Sequence, residues 1–185
     1  MKILAFAATS STRSINNQLV RYAASQLEEA EVDMLDINDY ELPLFSEDKE
    51  VELGQPELAK AFLDKISDSD ALIISFAEHN GSYTVAYKNI FDWASRINPK
   101  VFQNKPMVML ATTPGPGGAS SVLATAVASA PFFDGHVKAS LSVPSFYENF
   151  DIEQGRLNND EINIQLIAAV NSLSESTAVE MKQVM

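Results

Sequence analysis

Residues Ala71-Leu72-Ile73-Ile74-Ser75-Phe76 stay apolar along their length but for one hydroxyl, with no alternation of polar and apolar side chains. A strand wetted on one face alternates. An unbroken run must instead be covered on both faces, as in a parallel sheet held between two layers of helices. The next residues narrow the choice further. Glu78-His79-Asn80-Gly81-Ser82-Tyr83 is polar, and after it Ala86, Ile90, Trp93, Ala94 and Ile97 fall at i, i+4, i+7, i+8 and i+11, one stripe of a helix. Strand, polar loop, helix is therefore the unit, and the loop at a strand's carboxyl end is where open sheets bind ligands. Its backbone N–H groups, beside a helix start, suit a flat heterocycle or an anion.

The same unit recurs along the chain. Lys2 to Ala8 reads as a first strand, and Ile15, Leu19, Tyr22, Ala23 and Leu27 mark a helical stripe. Between them Thr9-Ser10-Ser11-Thr12-Arg13-Ser14 has five hydroxyls in six positions. Hydroxyl residues cap and turn, but at this density, with Ser14 as N-cap and a helix dipole behind it, they form a nest for a phosphate. Glu31 to Ile37 is a second strand candidate. Asp39 to Gly54 reads as a polar surface connection with Pro43 and an apolar patch at Leu42, Leu44 and Phe45. Pro56 opens a helix with Ala59, Phe62, Leu63 and Ile66 inward.

Pro106 precedes a fourth strand, Met107 to Ala111, and the loop Thr112-Thr113-Pro114-Gly115-Pro116-Gly117-Gly118 allows close backbone approach to a bound group. A helix with Ala119, Val122, Leu123, Ala126, Val127 and Ala130 inward follows and stops at Pro131. Val137 to Val143 is a fifth strand. An irregular stretch from Pro144 to Arg156 packs Phe146, Tyr147 and Phe150 locally. Asn159 caps a closing helix faced by Ile162, Leu166, Ala169, Val170 and Leu173, and the tail after Ser174 is expected to fray.

Five strands alternating with helices make an α/β fold, a three-layer doubly wound parallel sheet in a single domain over residues 1–185. In the order 2-1-3-4-5 the loops after strands one, three and four share one crevice. Composition removes several functions. The net charge of −12, from 25 acidic and 13 basic residues, argues against nucleic acid and anionic lipid as partners. With no cysteine, thiol redox chemistry is impossible and any redox reaction needs a borrowed cofactor. His79 and His136 stand far apart, so no metal site is expected. No stretch approaches the ~20 apolar residues of a membrane span, and the N-terminal run stops too early for a signal peptide, so a cytoplasmic protein is expected. The first loop lacks G-x-G-x-x-G and G-x-x-x-x-G-K-[ST], which leaves a terminal monophosphate such as that of FMN as the ligand suited to the hydroxyl nest.

Four segments carry a resemblance: Ser14-Ile15-Asn16 with Leu19, Glu78 to Tyr83, Lys88-Asn89-Ile90-Phe91-Asp92-Trp93, and Pro114 to Gly118. Over roughly residues 1 to 145 the chain resembles the NADPH-dependent FMN reductases, a flavodoxin-like family. The resemblance implies that Thr9, Ser11, Arg13, Ser14, Ile15 and Asn16 hold the FMN phosphate, with Asn16 bonding to it directly. It implies that Glu78, His79, Asn80 and Gly81 wrap the ring, that a side chain at Gly81 crowds it, and that Thr112, Pro114, Gly117 and Gly118 line its pyrimidine end. His79 and Tyr83 are then the substrate contacts. NADPH or NADH is the implied co-substrate, and a quinone, free flavin, azo compound or metal oxyanion the small-molecule acceptor. Turnover is ping-pong on the flavin, with no catalytic side chain, in a homodimer or homotetramer. The alternative of another class is a flavodoxin-type electron carrier or flavin-binding module without turnover. The family's early Gly-Ser-x-Arg stands here as Ala8-Thr9-Ser10-Ser11 with Arg13 two positions on. The prolines flanking its Glu-Tyr-Asn turn are Ala77 and Thr84, and its Tyr is His79.

Overall fold

The unbroken apolar runs become buried parallel strands. The computed structural model describes residues 1–183, with side chains as far as Ser174. The first half comprises β1 (Lys2–Ala8), α1 (Ile15–Ser25), β2 (Glu31–Met34), a 3-10 turn (Ile37–Tyr40), α2 (Glu47–Leu53), α3 (Glu57–Ser67) and β3 (Ala71–Phe76). A hairpin, β4 (Glu78–His79) and β5 (Ser82–Tyr83), then leads into α4 (Val85–Ile97) and β6 (Lys105–Thr112). After them come α5 (Ser120–Ser129), a 3-10 turn (Ala130–Phe133), β7 (Gly135–Val143), α6 (Phe146–Asn149), β8 (Phe150–Asp151), β9 (Arg156–Leu157) and α7 (Asp160–Gln183).

The five long strands form one parallel sheet in the order β2-β1-β3-β6-β7, the arrangement read from the sequence once the hairpin strands are numbered in. Register places Ala8 beside Phe76 and Phe76 beside Ala111, so β1, β3 and β6 end level. Side-chain alternation sends Leu4, Phe6, Leu72, Ile74, Met107 and Met109 to the face covered by α3, α4 and α5. Ile3, Ala5, Ile73, Val108 and Leu110 face α1 and α7. The second strand is shorter than expected: it ends at Met34, and Asp36 caps the 3-10 turn that takes Ile37.

The connection from Asp39 to Gly54 is also more ordered than a surface loop. Ser46 caps α2 inside it, and Leu42 to Phe45 is strapped across α4. The Asn89 amide donates to the carbonyls of Leu42 (2.9 Å) and Pro43 (3.2 Å) and its oxygen accepts from Phe45 N–H (2.9 Å). Trp93 Nε1 donates to the same Pro43 carbonyl at 2.8 Å, with the Phe45 ring edge-on to the indole. Asn89 and Trp93 lie four apart on one helix face, which lets both reach the strap. Phe146 and Phe150 are buried in the α1–α7 layer as expected, whereas Tyr147 is exposed. The helical backbone of α7 is continuous to Gln183, and the side chains of the tail expected to fray lie outside the described residues. Among the described residues no helix is long and apolar enough to cross a membrane, and no cluster of metal-ligating side chains occurs.

Candidate functional site

Because β1, β3 and β6 are adjacent and end level, the three polar loops that follow them meet at one rim. In the first, Ser14 accepts the Asn16 N–H at 3.1 Å and starts α1, and Thr9 accepts the Ser11 N–H at 3.2 Å. A serine or threonine hydroxyl that accepts one bond keeps its proton for another acceptor. The backbone N–H groups of Ser10, Thr12, Arg13 and Ile15 have no acceptor within the described protein. Residues 10 to 13 are exposed, and α1 has no acid in its first turn. Arg13 joins no ion pair among the described residues. An N–H nest at the positive end of a helix, with no competing carboxylate on its own loop, is a receptor for an anion.

Asn16 takes a different place from the one its sequence position suggests. Its side chain is 2% exposed. The oxygen accepts from Ser75 Oγ (2.8 Å) and Thr112 N–H (3.1 Å), and the amide nitrogen donates to Thr112 C=O (3.1 Å). One side chain thus joins the start of α1 to the ends of β3 and β6 and fixes the spacing of the rim. Ser75, inside an apolar strand, gives no sequence signal for this role beyond being the single hydroxyl of its run.

The second loop is the hairpin. Asn80 (φ 53°) and Gly81 (φ 75°) form a two-residue turn with both φ positive, the geometry that matches the twist of two strands. The register pairs Glu78 with Tyr83 and His79 with Ser82. His79 and Ser82 are exposed, while Glu78 and Tyr83 turn toward α5. The Glu78 carboxylate accepts the Val122 N–H at 2.9 Å, and the Tyr83 hydroxyl meets Ser129 Oγ at 3.2 Å. The Tyr83 ring packs on Phe76 and Tyr87, and burial raises its phenol above the usual tyrosine value, so it stays protonated. Open space surrounds Gly81, so no protein atom would obstruct a side chain there. Its positive φ is the constraint. Thr84 stands where a proline flanks the related turn. Its hydroxyl donates to Ala8 C=O (2.9 Å) and accepts the Tyr87 N–H (3.2 Å), capping α4 and pinning the hairpin to the end of β1.

The third loop follows Thr112, whose hydroxyl donates to Val143 C=O at 2.7 Å. Its glycines divide in two. A Cβ on Gly118 would overlap Ser142 Oγ, which donates to the Gly118 carbonyl, so this glycine is required by packing. Gly115 and Gly117 face open space, a cradle that side chains would fill. Ser145 N–H donates to Gly115 C=O and Phe146 N–H to Thr113 C=O, which tie the loop to the chain leaving β7. Pro114 lies in this loop. The nest, the bare glycine cradle and the hairpin tip together fit a phosphorylated flat ring, the phosphate at α1 and the ring between hairpin and glycines.

A model of the NADPH-dependent FMN reductases matches residues 1–146. An NADPH:quinone oxidoreductase of Arabidopsis thaliana is 31% identical over 125 residues, covering 65% of this chain and 62% of that protein. A 2-hydroxy-1,4-benzoquinone reductase of a Burkholderia species is 38% identical over 104 residues, 55% of each. The matched segment thus spans less than two thirds of these relatives. FerB, a flavoenzyme NAD(P)H:(acceptor) oxidoreductase from Paracoccus denitrificans, superposes with a TM-score of 0.74 at 23% identity, covering 94% of this chain and 95% of that one, a likeness of fold.

Proposed function

This chain belongs to the NADPH-dependent FMN reductase family, and from that premise we propose that it binds FMN at the rim and uses NAD(P)H to reduce a small acceptor of the quinone class. The observation that carries the reading is the convergence of three loops whose ligand-facing groups are backbone N–H donors and bare glycines. FMN, when bound, supplies the redox chemistry by accepting hydride from NAD(P)H and passing it on. The chain's part is to hold and to polarise. The N–H groups of Ser10, Thr12, Arg13 and Ile15, with the hydroxyls of Thr9, Ser11 and Ser14, hold the phosphate. Asn16 acts behind them by fixing the rim. The N–H groups of Asn80 and Gly81, which have no acceptor among the described residues, bond the ring edge. Donors at that edge stabilise the negative charge of reduction.

Thr112, Pro114, Gly117 and Gly118 border the opposite end of the ring, and His79, exposed on the outer face of the hairpin, is the side chain open to substrate. Tyr83 contributes the edge of its ring. With one open face for donor and acceptor in turn, the kinetics are ping-pong. Leu44 (68% exposed) and Val85 (66%) share a cleft with Tyr83 beside the rim, which supports closure of the site by a second copy in a homodimer or homotetramer. The test is to purify the protein, add FMN, and measure NAD(P)H oxidation against a benzoquinone. Bound yellow flavin and parallel double-reciprocal lines are expected. Bound flavin without turnover would mark an electron carrier, and no retained flavin would overturn the reading.

A further inference from the structure

Helix α5 starts without a cap of its own. Ala119, at its N-cap, is left-handed (φ 57°, ψ 35°) and offers no side-chain acceptor, and the first turn holds no acid. Helix starts leave N–H groups unpaired and positive, and a side-chain oxygen there is the usual remedy. Here the oxygen comes from another element, the Glu78 carboxylate at 2.9 Å from Val122 N–H. Glu78 is the first residue of the hairpin, and its cross-strand partner Tyr83 reaches Ser129 at the far end of the same helix. The inner face of the hairpin is thereby fixed to α5 at both ends, while its tip, Asn80 and Gly81, and its outer residue His79 stay free.

We propose that Glu78 is a positioning residue: it clamps the hairpin to the start of α5, setting the gap between hairpin tip and glycine cradle, and its charge offsets the positive helix end beside the site. The carboxylate points at α5 and works through the elements it joins. The charge effect rests on the proposed binding of FMN, whereas the clamp does not. An anion at a helix N-terminus cancels part of the potential that favours electron gain nearby, so removing the charge makes a bound flavin easier to reduce.

Two variants separate the effects. Glu78→Gln keeps an acceptor oxygen and loses the charge; Glu78→Ala loses both. Amide hydrogen exchange is followed at Val122 in protein without added flavin, and the midpoint potential is measured with FMN bound. Glu78→Ala should speed Val122 exchange about tenfold or more, the scale of one charge-assisted bond, and weaken FMN binding, with Glu78→Gln restoring most of both. Glu78→Gln should shift the midpoint potential upward. Val122 exchange as slow in Glu78→Ala as in the parent chain overturns the clamp. An unmoved or lowered potential in Glu78→Gln overturns the charge effect. A parent chain that takes up no FMN defeats the functional reading and the charge effect with it, and the exchange measurement still decides the clamp.

Discussion

The first loop and the hairpin sit side by side on adjoining strands and are built in opposite ways. Between Ser10 and Arg13 the side chains point to water and four nearby N–H groups remain unspent. In the hairpin every inward side chain is committed, Glu78 to Val122 and Tyr83 to Ser129, and Thr84 adds a bond to Ala8. A phosphate is a compact charge that can be met by main-chain groups wherever a helix begins. A flat ring has to be gripped between two surfaces at a set distance, and distance is what committed side chains supply.

Asn16→Ala tests this contrast most severely, because it strips partners from Ser75 Oγ and from both main-chain groups of Thr112. Each buried polar group left unpaired costs about 1–3 kcal/mol, so a loss of roughly 3 kcal/mol is expected in urea unfolding of the flavin-free protein. Unchanged unfolding with weakened FMN binding would return Asn16 to the phosphate. Next come the glycines. Gly118→Ala should destabilise by about 2 kcal/mol through the Ser142 overlap and the positive φ. Gly117→Ala should leave the melting temperature in place and lower FMN affinity, and the reverse pattern would exchange their roles.

Thr84→Pro is a gentler probe. At φ −65° and ψ 148° the backbone accepts proline without strain. What is lost is the cap and the bond to Ala8, partly offset by a stiffer unfolded chain, so a net change within about 1 kcal/mol is expected by thermal melting. A drop of several kcal/mol would mean that the hairpin depends on that single hydroxyl.

The smallest effect concerns Tyr87, whose burial, with a lesser contribution from nearby Tyr83, holds its phenol well above the usual 10.0. Above pH 10 the unfolded chain gives up this proton while the folded one keeps it, so stability is whole below that pH and falls as the pH rises past it. Tyr87→Phe should flatten the alkaline limb of the stability curve, read from unfolding midpoints across that range.

Strand by strand the sheet is legible in the sequence, because runs such as Ala71 to Phe76 and Met107 to Ala111 have no other burial geometry available. The three loops are legible for the same reason, as polar breaks at fixed ends of those runs. The features that escape a reading of the sequence depend on distant partners. Asn16 follows a serine cap at a helix start, and nothing local shows that Ser75 and Thr112, far along the chain, will saturate it. The strap at Leu42 to Phe45 reads as loop because its acceptors are main-chain carbonyls, which look the same at any residue, and its donors lie on α4. Pro131 stops α5 as expected, but the chain tightens into a 3-10 turn because proline is accepted at a turn's first positions.

The grip of Asn89 and Trp93 on Leu42 to Phe45 also marks where this molecule tolerates lengthening. Upstream of Ser46 an added residue would pull three main-chain groups off the Asn89 amide at once. Downstream, between Gly54 and Pro56, the chain is exposed and hangs from an anchored point, so a peptide tag or reporter grafted there leaves the rim untouched.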